Sequence, residues 1–327
     1  MQAATLARRF GSAAFARRSA LGWIAPALLA LALVFPWLAG EFYVRLAIEA
    51  LLLGAIALSV DILLGCAGLL SLGQAMYFGL SAYLTALCYL HVTQSFWLVA
   101  AIVALAVAAV AAVLGAVAIR AKGVYFALIT FGAAEIAGKI VHNTRAIGGS
   151  DGLIGIPVPS IALPGFDIAL RDNLTFYYVV LLAISLVFLG VTRILATPFG
   201  SVLAAIRDNA SRVPYLGYNP FWYKFLAYLL AAEVAAVGGL FYPLLRGFVG
   251  PDLFGFEVST QSVVMALVGG VGTLIGPLVG GVVITFLQSV LGSFTERHLL
   301  LLGVIFILFV RFLPGGLFGL LRRGPAP

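Results

Sequence analysis

Thr197–Lys224, TPFGSVLAAIRDNASRVPYLGYNPFWYK, is a long polar interruption in an otherwise apolar chain, and its reading decides how the rest is arranged. The spacing predicts a helix over about 198–213. Thr197 can cap it, Pro198 fits the first helical position, and Phe199, Val202, Leu203, Ile206 and Ala210 recur at i, i+3, i+4, i+7 intervals. Arg207, Asp208 and Ser211 fall on the other side. Pro214 lacks an amide proton and clashes with the preceding turn, so the helix is expected to stop or kink near Val213. A short amphipathic helix between two apolar segments either lies on a bilayer or is gripped by a soluble partner.

Outward from this stretch the chain is apolar almost throughout. Of its 327 residues 63% are hydrophobic and only 9% charged, against roughly 25% charged in a soluble domain. The composition defines an all-α, polytopic integral membrane protein. Its net charge of +7 is then a question of which side of the bilayer the basic residues occupy, not a nucleic-acid footprint. Cys66 and Cys88 both lie in apolar segments and imply no disulfide framework. His91, His142 and His298 are far apart without metal-ligand spacing, so neither a metal nor a cofactor is expected. The N-terminal Arg8, Arg9, Arg17 and Arg18, followed by the apolar run Trp23–Leu38, read as an uncleaved first helix rather than a signal peptide.

A hydrocarbon core of about 30 Å takes roughly 20 apolar residues per helix. Suitable runs fall near 23–40, 44–65, 69–90, 96–119, 124–141, 174–194, 224–245, 258–275, 276–294 and 299–316, about ten transmembrane helices. With the N-terminus cytoplasmic, thirteen of the 19 basic residues lie inside, including Arg120, Lys122, Arg193, Arg207, Arg212, Lys224, Arg311, Arg322 and Arg323 with the four N-terminal arginines. Six lie outside: Arg45, Lys139, Arg145, Arg171, Arg246 and Arg297. That asymmetry obeys the positive-inside rule and places both termini in the cytoplasm. The chain divides into a basic N-terminus (1–22), a transmembrane domain (23–316) and a C-terminal tail (317–327). An outside loop over about 142–173 carries Gly148–Gly152 and Pro157, Pro159 and Pro164.

No G-x-x-x-x-G-K-[ST], H-E-x-x-H or G-x-S-x-G motif is present, which argues against an ATPase or an intramembrane hydrolase. Glycine recurs instead. GCAGLLSLGQAMYFG (65–79) and GGVGTLIGPLVGG (269–281) interrupt apolar sequence. Such runs either let helices approach closely or form broken or re-entrant segments lining a transporter pathway. The second reading makes Ser71, Gly73, Gln74, Gly270 and Gly272 pathway residues. Three acids lie within spans. Glu135 stands four residues before Lys139, the spacing of an i,i+4 pair. Asp61 is placed to reach interfacial water. Glu233, nine residues past Lys224 and so about 13–14 Å along the helix, falls near the midplane. It is expected to be neutral, or hydrogen-bonded to another helix, as a pathway or coupling residue.

GCAGLLSLGQAMYFGLSAYLTAL (65–87), KGVYFALITFGAAEI (122–136), GGSDGLIGIP (148–157), TPFGSVLAAIRDN (197–209), LGYNPFWYKFLAYLL (216–230), GFVGPDLF (247–254) and LVGGVGTLIGPLVGG (267–281) follow one another along the chain. In these segments it resembles the LivM-like permeases of branched-chain amino acid ABC importers. The resemblance implies uptake of branched-chain or other aliphatic amino acids, with urea, short amides and aromatic acids as alternatives. It also implies a second homologous permease, two cytoplasmic ATP-binding subunits, a periplasmic binding protein and the bacterial inner membrane. By the same likeness the 198–213 helix couples to the ATPase through Leu203, Ile206, Arg207 and Asp208. Gly149, Ser150 and Asp151 then face the binding protein. The chain departs from the family's common pattern at Glu233, Asp61 and Pro214. A proton-coupled secondary transporter working through Glu233 or Asp61 is the alternative from another class.

Overall fold

In the computed structural model, residues 25–163, 166–294, 298–313 and 315–322 are described. The basic tail with Arg8, Arg9, Arg17 and Arg18, together with Pro164, Arg297 and Arg323, lies outside them. The residues up to Val44 form one unit and Arg45 onward a second. The first contains the apolar helix α1 (Ala25–Leu38) and the opening turn of α2. Everything that follows concerns the second.

Its helices are α2 (Glu41–Asp61), α3 (Gln74–His91), α4 (Phe96–Ala118), α5 (Val124–Asn143), α6 (Asn173–Leu195), α7 (Pro198–Asn209), α8 (Pro220–Arg246), α9 (Phe256–Gly269), α10 (Ile275–Phe294) and α11 (His298–Phe312). Six helices in the described chain are long and apolar enough to cross a membrane, fewer than the ten spans expected. The glycine runs account for part of the difference. Residues 68–73 are unwound ahead of α3, and residues 270–274 turn the chain between α9 and α10. At 14 residues, α9 reaches only about 21 Å at 1.5 Å per residue, short of a 30 Å core.

The centre is α3 packed on α8, with α4 against both and α2 close to α8 where Gly238 meets Leu52 and Ala55. α3 is buried over most of its surface, with one half-buried stripe at Leu80, Leu84, Leu87 and Leu90. α8 buries Ala231, Ala232, Ala235, Ala236 and Gly239 in this interior, small residues that allow close backbone approach where lipid supplies no hydrophobic drive. A Cβ at Gly239 would overlap the carbonyl oxygen of Phe78. Ser81 Oγ donates to Ala236 O at 2.6 Å and Tyr77 OH to Tyr228 OH at 2.8 Å, so these groups find their partners inside the interface. In contrast α4, α5 and α6 bury only a third of their residues or fewer, and Leu105, Leu128, Ile136 and Leu182 stand exposed.

The 142–173 segment is more ordered than a loop. It contains two short helical turns (Arg145–Ile147, Gly149–Asp151), strand β1 (Leu153–Ile154) and the hairpin β2 (Ser160–Leu163) and β3 (Phe166–Ala169). β1 pairs antiparallel with β4 (Phe248–Val249), Leu153 opposite Val249, while Ser160 lies opposite Ala169 in the hairpin.

Candidate functional site

Two clusters at opposite ends of the helix bundle gather the residues singled out in sequence. At the α7 end, α2 leaves Asp61 fully buried and continues through a wide π-helical turn, Ile62–Ala67, closed by Gly68 at φ 70°. Asp61 does not reach water as expected. Its Oδ2 accepts from Leu274 N at 3.0 Å and its Oδ1 from Gly272 N, both in the α9–α10 turn. A carboxylate held by two backbone amides fixes that turn. Leu274, at φ 62°, is the single non-glycine residue with positive φ among the described residues. That conformation costs a branched side chain roughly 1–2 kcal/mol and persists because its amide is gripped. A Cβ at Gly65 would run into Gly272, so the two glycine runs meet directly.

The amphipathic helix is tied into the same cluster. Arg207 turns inward and donates from Nη1 to Gly65 O at 2.6 Å, with its aliphatic stem over Gly68. Asp208 stays outside, 75% exposed, 3.6 Å from Arg207 Nε. Three expectations for α7 are corrected. Leu203 and Ile206 are buried by the chain itself, Ile206 together with Val202, Val213 and Tyr223, because the start of α8 folds back over the apolar stripe. The helix ends at Asn209, not near Val213, because Asn209 Oδ1 accepts from Ser211 N at 3.1 Å and the local turn competes with another helical residue. Thr197 does not cap through its side chain: its hydroxyl donates to Ile194 O at 2.6 Å. Exposed on α7 and its turn are Asp208, Arg212, Tyr215 and Leu216, together with part of Arg207.

The pathway residues of the first glycine run are likewise interior. Ser71 and Gln74 are fully buried. Ser71 Oγ accepts from Gly73 N at 3.3 Å and from Gln74 Nε2 at 3.4 Å, and Gln74 Oε1 accepts from Ser59 Oγ at 3.3 Å. Gly73 lies against Thr130 of α5, whose hydroxyl accepts from Leu72 N at 3.3 Å. These groups wire the unwound segment to α2 and α5. Gly270 is buried against the Gly315–Gly319 turn. Glu233 is half-buried, and its Oε1, buried, has no hydrogen-bond partner in the structure, so the expected bond to another helix is absent from that atom.

At the opposite end, the 148–155 segment and the 247–255 segment come together. Gly155 N donates to Gly247 O at 3.2 Å beside the β1–β4 pair. Gly152, at φ 70°, passes so close to Val249 that a Cβ would overlap its carbonyl oxygen. Of the residues expected to face a binding protein, Ser150 and Asp151 are exposed and Gly149 is buried. Ser150 Oγ donates to Asp151 Oδ1 at 3.1 Å. The turn Pro251–Phe254 then lies along α5, and between them opens a crevice of about 180 Å³ lined by Glu135, Lys139, His142 and Asp252. The ion pairs among the described residues are Arg207–Asp208 and Arg246–Glu49; the expected Glu135–Lys139 pair does not form. Nothing in the sequence spacing announced Asp252 as part of this group, since it joins α5 only through the fold.

A family model described as branched-chain amino acid transport system / permease component matches residues 42–310, and the chain belongs to that family. Among individual relatives, the high-affinity branched-chain amino acid transport system permease protein LivM of Escherichia coli is 27% identical over 316 residues, covering 90% of this chain and 74% of that protein. The probable LivM of Methanocaldococcus jannaschii is 26% identical over 166 residues, 50% of this chain and 47% of its own. The E. coli permease LivH is 24% identical over 122 residues, 37% and 39% of the two chains. No solved structure matches. These relatives are transport permeases, not enzymes, and the chain is a membrane-spanning permease component.

Proposed function

We propose that the chain is one of two homologous permeases of an ATP-driven importer for branched-chain or other aliphatic amino acids. Two ATP-binding subunits sit on its cytoplasmic side and a binding protein on its periplasmic side, in a bacterial inner membrane with both chain termini cytoplasmic. The observation that carries this reading is the tie between α7 and the core, Arg207 to Gly65 O. A helix with an exposed outer turn, hard-wired to the junction of both glycine runs, can pass motion of a docked subunit into the spans. Docking falls to Asp208, Arg212, Tyr215 and Leu216, because Leu203 and Ile206 are already covered.

The test is uptake in proteoliposomes holding this chain, its neighbouring permease and both ATPase subunits. Leucine, urea, short amides and aromatic acids are each offered on their binding protein. Uptake is expected to require internal ATP and to survive a protonophore. Uptake without ATP that collapses with a protonophore overturns the reading. That second outcome belongs to proton-coupled transport, which one observation favours: the buried, unpartnered Oε1 of Glu233. Asp61 fits that role poorly, since both its oxygens hold the α9–α10 turn.

A further inference from the structure

The crevice between α5 and the Pro251–Phe254 turn holds two acids, a lysine and a histidine, and none of the four is in an ion pair of the described chain. Glu135, Gly138, Lys139 and His142 are spaced at i, i+3, i+4, i+7, which places them on one face of α5. Gly138 lets the facing turn come close: a Cβ there would stand 3.1 Å from Phe254 Cβ and 3.8 Å from Pro251 O. Asp252 therefore enters from the opposite wall. Glu135 and Lys139 have the spacing at which helix pairs form, yet they stay apart and both line the cleft.

The Tyr83 hydroxyl is buried with no hydrogen-bond partner, in a residue only 3% exposed. Its ring lies 5.6 Å from that of Phe254, and the Asp252 carboxylate is within electrostatic range of the hydroxyl. Tyr83 does not line the crevice, so this hydroxyl bears on it only through the field it shares with Asp252. The volume, about six waters at roughly 30 Å³ each, suits a small solute rather than a protein loop. A solute that uses carboxylates and cations in one narrow cleft must itself carry both charges.

We infer that this crevice binds a free zwitterionic amino acid, its α-ammonium on Glu135 and Asp252 and its α-carboxylate on Lys139 and His142. The site rests on the importer reading and deepens it. It gives the substrate a stop on the permease between release from the binding protein and entry to the spans.

The full chain in lipid nanodiscs is titrated with radiolabelled L-leucine by scintillation proximity. Leucine amide, with the ammonium only, and 4-methylpentanoate, with the carboxylate only, are run as competitors. Leucine is expected to saturate, and each analogue to bind about tenfold more weakly, the equivalent of one lost charge-assisted hydrogen bond. Lys139→Met and Asp252→Asn are expected to weaken leucine by about the same factor, with Lys139→Arg retaining most of it. Absence of saturable leucine binding, or binding unchanged in both variants, overturns the site. Cross-linking of a periplasmic binding protein through Lys139 without leucine binding overturns it in favour of a docking surface. Leucine uptake by the assembled importer is measured in parallel. Uptake without binding to the permease sinks the site alone, whereas uptake of no amino acid under any condition sinks the importer reading.

Discussion

The two ends of the bundle use charge in opposite ways. At the α7 end, Asp61 is wholly buried with backbone amides on both oxygens, and Arg207 reaches a backbone carbonyl. At the other end, Glu135, Lys139, His142 and Asp252 stand around an open cleft outside the ion pairs of the described chain. A buried charge is tolerated only when hydrogen bonds surround it, so the first cluster is architecture. A partly exposed charge has water as its alternative partner, and so remains free for a visiting ion. The contrast separates the residues that hold the permease together from those able to handle a solute.

The sharpest break in that contrast is Asp61→Ala. It strands the Gly272 and Leu274 amides in a buried turn, at about 1–3 kcal/mol for each unsatisfied donor, and removes what holds Leu274 at positive φ. Thermal unfolding of the detergent-purified chain is expected to shift markedly downward, with loss of uptake. Wild-type unfolding would mean that Asp61 is not architecture at all. Next is Arg207→Ala, which cuts the tie between α7 and the π-helical turn. In the assembled importer, ATP hydrolysis is expected to persist while uptake falls about tenfold, as for loss of one charged hydrogen bond; parallel loss of both would show a general folding defect.

Gly152→Ala probes the scaffold of the opposite cleft. The left-handed backbone and the approach to Val249 O both oppose a side chain. A destabilisation of about 1 kcal/mol or more is expected, read as faster amide exchange at Val249 and Gly155 with the α7 end unaltered. The smallest effect belongs to Glu233→Gln, which keeps the shape but cannot titrate. Uptake is expected to stay near wild type with the same pH profile between pH 5 and 8. Loss of uptake together with its pH dependence would transfer the coupling role to Glu233.

How much of this was legible in the sequence follows from the range of the interactions. Helix α7 was readable because its stripe, Val202, Leu203, Ile206, is local, and so were the interruptions at both glycine runs. What covers the stripe was not, since the start of α8 arrives through a turn whose course no periodicity records. Asp61 looked interfacial because its distance from the end of an apolar run carries no information about amides more than 200 positions away. Ser71 and Gln74 were recognisable as polar groups in apolar surroundings, but not as bonded to each other. Glu135 and Lys139 illustrate the converse. Their spacing permits a pair, and only the neighbouring turn with Asp252 shows a cleft between α5 and a wall from elsewhere.

The π-helical turn at Ile62–Ala67 carries information of another kind. Relative to a regular α-helix, such a turn is a surplus of one residue. Deleting Leu64 would leave every upstream side chain in place and let the segment close into ordinary helix, turning the Gly65 carbonyl by about 100° away from Arg207. The link between the spans and the amphipathic helix is thus written in the length of the chain. Substitution scanning is blind to that; a single-codon deletion reads it.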